Sequence, residues 1–149
     1  MQGIILNRQI DPKIELIEVP DPVLKSGEAL IRIKAAALNH RDEWCRQGLY
    51  ANLMDGIILG SDGAGIVEKV FDESHSSWIG KEVIINPGFN WGSNQKAQSK
   101  EFKILGMPGN GTFAEYLAIP VDRLHEKPAH LNWEEAAALP LAGVTAFRA

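Results

Sequence analysis

The sequence predicts a mainly β fold, a partly open barrel of short strands with short helices at its edges. Three observations carry this expectation. Brief apolar segments recur between turn residues, Ala29 to Leu38 form one long run of strand character, and an apolar stretch from Ile57 to Val67 is broken by Gly60, Gly63 and Gly65. Those glycines read G-x-x-G-x-G, whereas the dinucleotide fingerprint is G-x-G-x-x-G and must open a helix. Here Ile66 to Val70 continue as strand, so the stretch is expected to be a kinked or bulged strand in a β domain.

Taken in order, Gly3 to Leu6 and Ile14 to Val19 are short strands about the turn signal Asp11-Pro12, and Pro20-Asp21-Pro22 ends the second. In the long strand, polar Arg32 and Lys34 alternate with Ile31 and Ile33, which predicts one wet and one buried face. Asn39 then interrupts. Asn39-His40-Arg41-Asp42 looks like a helix start, with Asn39 as cap and Asp42 in the first turn, and Gly48 closes the helix. Lys81 to Ile85 is a strand, residues 86 to 111 a long polar loop anchored by Trp91 and Phe102, and Thr112 to Ile119 and Arg123 to His125 are strands again. Asn132 and Glu135 mark a capped helix up to Leu139, and a further helical pattern runs from Gly143 to Ala149. It carries no stop signal, so a second domain is expected to follow.

Composition narrows the classes. At 149 residues the chain suits one domain with a proper core, and 45% hydrophobic with 23% charged residues is ordinary for a soluble globular protein. A formal net charge of -4 without a dense basic cluster argues against nucleic acid as a partner. The single cysteine, Cys45, excludes an internal disulfide and fits a reducing cytoplasm. No apolar run approaches the ~18 residues of a membrane span, and the N-terminus lacks the pattern of a signal peptide, so neither membrane nor export is expected.

Several landmarks now stand in sequence: Asn39-x-x-Asp42, Gly48-Leu49-Tyr50, Leu59-Gly60-Ser61-Asp62-Gly63-Ala64-Gly65, and Ala136-Ala137-Ala138-Leu139-Pro140 through Gly143-Val144-Thr145-Ala146. With these the chain resembles the N-terminal, GroES-like catalytic domain of the medium-chain dehydrogenase/reductase superfamily. It is most similar there to zinc-type alcohol dehydrogenase-like and quinone oxidoreductase-like proteins. The phrase Asn86-Pro87-Gly88-Phe89-Asn90-Trp91-Gly92, with Phe102-Lys103-Ile104-Leu105-Gly106, resembles one such bacterial and fungal subgroup.

The resemblance implies residues 1–139 as the GroES-like catalytic domain and 140–149 as the start of a junction helix leading to a nucleotide-binding domain. It implies NADPH (or NADH), bound mainly by that other domain, as hydride donor and a quinone, enal or similar carbonyl as substrate. It also implies a homo-oligomer at full length and no dehydrogenase activity for these 149 residues by themselves. Zinc-dependent members place a cysteine where this chain has Asn39 and a His-Glu pair where it has Ser61-Asp62, and their structural zinc uses four cysteines in the loop matching residues 86 to 111. Amide and hydroxyl are poor zinc ligands, so no zinc is expected.

Without zinc, charge developing on the carbonyl oxygen needs hydrogen-bond donors, and Asn39 is the candidate catalytic residue. Its alternative role is the helix cap. By resemblance Trp44 and Tyr50 line the substrate cleft, though both also read as core aromatics, and Thr145 faces the nicotinamide. Asp42 and Asp62 hold the cleft in place by hydrogen bonds. Cys45 is read as a buried structural thiol, and His75, His125 and His130 as surface side chains. Two other readings stay open: a zinc-dependent alcohol dehydrogenase domain with ligands shifted to His40, Cys45, Asp62 or His75, and a non-catalytic GroES-like binding or structural module.

Overall fold

The computed structural model describes residues 1–149. In chain order its elements are β1 (Gln2–Leu6), β2 (Ile14–Glu18), β3 (Glu28–Ala37), α1 (His40–Gln47), β4 (Asp62–Val70), β5 (Glu82–Ile85), β6 (Gly88–Phe89), β7 (Lys103–Ile104), β8 (Tyr116–Pro120), β9 (Leu124–Glu126), α2 (Trp133–Ala138) and α3 (Pro140–Arg148). The central sheet is antiparallel throughout, in the order β8-β3-β4-β5-β9. A separate hairpin pairs β1 with β2, and Gly3 and Ile5 bridge to Ala114 and Ile58. The sheet curves into a barrel that stays open.

The alternation read in β3 puts Ile31 into the core with Val67, Val83, Ile85, Leu117 and Ile119, all but removed from solvent. Burying side chains of this size contributes roughly 1.5–3 kcal/mol each. A smaller cluster of Leu6, Cys45, Leu59 and Met107 lies under α1. Between the two apolar clusters run the buried polar residues Arg41, Asp42, Ser61, Asp62 and Thr112.

The glycine stretch is irregular, as its composition requires. Register between β3 and β4 shifts at Leu30/Ile31 and again at Ile33/Ala35. Gly65 lies opposite Ile33, and a Cβ there would fall inside the carbonyl oxygen of Arg32. Gly60 sits at φ +94°, where a side chain is strained and where Phe113 and Thr112 leave no room for one. That turn is why regular β4 begins at Asp62 and not at Ile57.

Three further boundaries differ from the sequence expectation. Residues 86–111 are not all loop: β6 pairs with β7, and Trp91 packs edge-on to Phe102 with ring centroids 5.1 Å apart. Helix α3 starts at Pro140 rather than Gly143, because proline at the first helical position lacks only an N–H that would have no helical partner. Strand β8 starts at Tyr116 rather than Thr112, whose hydroxyl instead donates to the carbonyl of Asp62 at 2.7 Å. Helix α1 and the Asn132–Glu135 capping box of α2 form as read, and Gly48 closes α1 at φ +84°. No helix is long and apolar enough to cross a membrane.

Gly65→Ala is expected to destabilise the domain by about 1–3 kcal/mol, since backbone must move to admit the methyl group. Gly109→Ala, with nothing within 4 Å of the added carbon, is expected to stay within about 0.5 kcal/mol. Urea unfolding of the two variants checks the contrast.

Candidate active site

The first turn of α1, the start of β4 and the first turn of α3 converge on one carboxylate. Asp62 is 1% exposed. Its Oδ2 accepts a hydrogen bond from Asn39 Nδ2 at 3.0 Å, and its Oδ1 accepts one from the Leu141 backbone N–H at 2.9 Å. Leu139, which precedes α3, provides no side-chain cap. Asp62 therefore does from β4 what a capping residue would do, satisfying an orphan N–H at the positive end of the helix.

Asn39 is extended (φ -119°, ψ 155°) at the N-cap position of α1, but its side chain makes no cap hydrogen bond and the Asp42 N–H is taken by its backbone carbonyl. Asp42 Oδ2 accepts the Asn39 backbone N–H at 2.8 Å. The backbone of Asn39 is tied to Asp42, while its side-chain amide turns to Asp62 instead of capping the helix. Asn39 is half-buried, and one of its two amide hydrogens is committed to Asp62.

Arg41 is the residue that sequence reasoning missed. It is 7% exposed, and its Nη1 donates to Ser61 Oγ and, at 2.7 Å, to the carbonyl of Leu105. Ser61 Oγ donates to the same carbonyl at 2.8 Å. The guanidinium lies 4.8 Å from the centre of the Tyr50 ring, with Nε 3.5 Å from its hydroxyl oxygen. Nη1 also stands 4.0 Å from Asp42 Oδ1. Two buried polar atoms have no hydrogen-bond partner here, Arg41 Nη2 and Asp42 Oδ1. The available signal was the four-residue step from Arg41 to apolar Cys45, which puts both on the inward face of α1.

Burial pushes the Asp42 and Asp62 carboxyls above the ordinary aspartate value. For Asp62 the hydrogen bonds from Asn39 and Leu141 work against burial, and burial prevails. The same cause raises the thiol of Cys45, which is fully buried as a structural cysteine.

Of the hollows around the converging elements, two share Phe102 and Ile104 as a wall. The larger, about 450 Å³, lies between α3 and the β6–β7 segment, with Asn86, Trp91, Phe102, Leu141 and Thr145 among its walls. Thr145 is exposed there, its hydroxyl donating to the Leu141 carbonyl at 2.8 Å. The second, about 320 Å³, shares the wall of Phe102 and Ile104 and is lined on its far side by Tyr50. Tyr50 is half-buried and packs on the cluster under α1. Trp44 lines neither hollow: it is 47% exposed on the outer side of α1, 5.0 Å from the His40 ring, so it is no core aromatic. The structure therefore brings Asn39, Asp62 and the α3 start together, sets Thr145 one turn further along α3, and leaves Trp44 outside. Of the histidines, His125 and His130 are exposed, but His75 is half-buried with an unpartnered Nδ1, in contrast to the surface position read for it.

The positions where zinc-dependent enzymes carry their ligands do not make a zinc set. Asn39 offers its amide nitrogen as a donor to Asp62, and the Ser61 hydroxyl is held by a cationic guanidinium. His40 is exposed while Cys45 is buried on another face of α1, and no three His, Cys, Asp or Glu side chains stand close enough to share a metal ion.

An open antiparallel sheet with short helices at its edges is the architecture of a GroES-like domain. The alcohol dehydrogenase GroES-like domain family matches residues 25–129, and the chain belongs to it, within the medium-chain dehydrogenase/reductase superfamily. Over 136 residues it is 38% identical to a zinc-type alcohol dehydrogenase-like protein of Schizosaccharomyces pombe, covering 91% of this chain and 39% of that protein. The crystal structure of an NAD-dependent alcohol dehydrogenase superposes with a TM-score of 0.88 at 35% identity, covering 99% of this chain and 46% of that one. The quinone oxidoreductase of Coxiella burnetii follows with a TM-score of 0.77 at 26% identity, covering 99% and 43%. The chain spans less than half the length of these proteins.

Arg41→Ala is expected to destabilise the domain by about 3–5 kcal/mol, because Asp42, Ser61 and the Leu105 carbonyl lose a buried partner. Arg46→Ala, which removes a partly exposed pair with Glu43 and a bond to the Pro12 carbonyl, is expected to cost about 1 kcal/mol. Denaturant midpoints separate the two.

The raised carboxyls set a pH dependence. The folded protein holds these protons to higher pH than the unfolded chain. The stability they contribute is therefore full at low pH and is lost as pH rises from the ordinary aspartate value of 3.8 through the raised folded value. Asp62→Asn is expected to flatten that decline, read as urea midpoints between about pH 3.5 and 7.

Proposed function

We propose that this domain is the substrate-binding half of a zinc-independent, NAD(P)H-dependent oxidoreductase that reduces quinones or other conjugated carbonyls. The observation that carries the reading is the fixed orientation of the Asn39 amide by buried Asp62, whose other oxygen holds Leu141 in the wall of a cleft that also carries Trp91 and Phe102. Residues 140–149 begin the junction helix, and the domain beyond it binds the nicotinamide cofactor, which supplies a hydride when bound. The names of the similar proteins, an NAD-dependent alcohol dehydrogenase and a quinone oxidoreductase, support a dehydrogenase or reductase of this kind.

The remaining chemistry falls to this chain. Hydride addition to a conjugated carbonyl moves an electron pair onto the carbonyl oxygen, and that oxyanion is stabilised by a donor held in place before the reaction. Asn39 Nδ2 has its second hydrogen for this purpose, and Asp62, by accepting the first, keeps the amide from rotating its oxygen toward the substrate. The product oxygen or α-carbon then takes a proton from water. Thr145 faces the nicotinamide from α3. Tyr50 accepts from Arg41 and keeps its own O–H for the substrate side.

In the gene product expressed at full length, Asn39→Ala is expected to lower kcat for NADPH-dependent reduction of a small quinone by about 10²–10³-fold, with a smaller change in KM. The assay is run after chelator treatment with metal content measured alongside. Activity that disappears with chelator and returns with zinc would overturn the zinc-independent reading.

A further inference from the structure

We infer that the larger cleft selects a substrate carrying an anionic group, a carboxylate or phosphate, which Arg148 receives; this deepens the reductase reading and rests on it. The chain has six arginines, and five have a carboxylate within 4.0 Å: Arg8 with Asp55, Arg32 with Glu68, Arg41 with Asp42, Arg46 with Glu43 and Arg123 with Asp122. Arg148 has none. Its guanidinium stacks 3.8 Å from the centre of the Trp91 ring, and Nη2 donates to the Gln95 carbonyl at 3.1 Å. That leaves a positioned cation with most of its five N–H donors unused at the wall of the cleft.

The surroundings favour an anion. The segment 86–111 carries Lys96, Lys100 and Lys103 with Glu101 as its single acidic residue, in a chain whose net charge is -4. All three lysines are exposed, and no carboxylate stands within 4.0 Å of them. The other cation of the cleft, Arg123, is neutralised by both oxygens of Asp122. None of the three lysines lines the cleft itself, and Lys103 lines the neighbouring hollow, so they add local positive charge around Arg148 rather than contacts.

Stacking on an indole holds the guanidinium plane, so its edge can meet a carboxylate or phosphate in bidentate fashion at little entropic cost. Thr145 and Arg148 are three residues apart on α3, which sets their Cβ atoms about 5–6 Å apart on one face. A substrate lying along Phe102, Ile104 and Val144 would present its reducible end at Thr145 and its anionic end at Arg148.

The test uses the full-length gene product and three aldehydes with the same conjugated frame: cinnamaldehyde, its 4-carboxy derivative and its 4-phosphonooxy derivative. Calorimetric titration is expected to show an anionic derivative binding at least tenfold tighter than cinnamaldehyde at low salt, with the preference shrinking as salt is added. Which derivative gains identifies the group as carboxylate or phosphate. Arg148→Gln is expected to reduce the preference about tenfold, and Arg148→Lys to retain part of it. Equal affinities in the unmodified protein, or a preference that survives Arg148→Gln, would overturn the proposal. NADPH oxidation is measured separately. If no aldehyde is reduced, the reductase reading fails, while the titration still decides whether the cleft selects anions.

Discussion

Burying a carboxylate is costly unless its oxygens are well partnered, and Asp62 pins three elements together by meeting that requirement. One oxygen holds Asn39 at the head of α1, the other the first turn of α3, and Thr112 fastens its backbone carbonyl. Removing any of these partners would leave buried charge or polar surface unsatisfied. The relative placement of α1, β4 and α3 therefore follows from hydrogen-bond satisfaction at a single side chain. Hydrophobic packing, which is non-directional, could not set it so closely.

Arg41 does similar work on the other side of α1. Its bonds to Ser61 and Leu105 tie the helix to β4 and to the segment that follows β7, and its face rests on Tyr50. The result is a polar seam between two apolar clusters. Such a seam contributes little net stability compared with a packed apolar core, and its recompense is a defined geometry. The geometry it defines is that of Asn39, the residue on which the proposed chemistry turns.

The cleft owes its existence to a different pair of constraints. Pro140 starts α3 immediately after α2, and the β6–β7 pairing with Trp91 on Phe102 gives the long segment after β5 a rigid wall. Together they form a concave surface that a single sheet could not offer. The similar proteins are more than twice this length, and in the proposed reading this surface is one side of a site that a second domain completes.

Much of the fold could be read from the residues because its signals are local. Alternation in β3, the helix start at Asn39, the Asn132 cap, the Gly48 stop and the need for glycine at Gly60 each arise within a few residues, where propensity and backbone sterics act directly. The family resemblance rests on the same local phrases. What could not be read depends on partners distant in sequence. Pairing of β6 with β7 spans a loop of polar residues that carry no periodic signal, and Thr112 left its strand to bond Asp62 fifty positions away. No local signal sets Arg41 beside Ser61 and the Leu105 carbonyl, and Trp44, read as a cleft wall, is turned outward by α1. By itself the sequence determined the strands, the caps and the kind of domain, since these follow from backbone preference and side-chain period. Only the tertiary structure decided which polar groups are buried and what each one holds, because desolvation and hydrogen-bond partnership belong to the assembled interior and not to any segment of the chain.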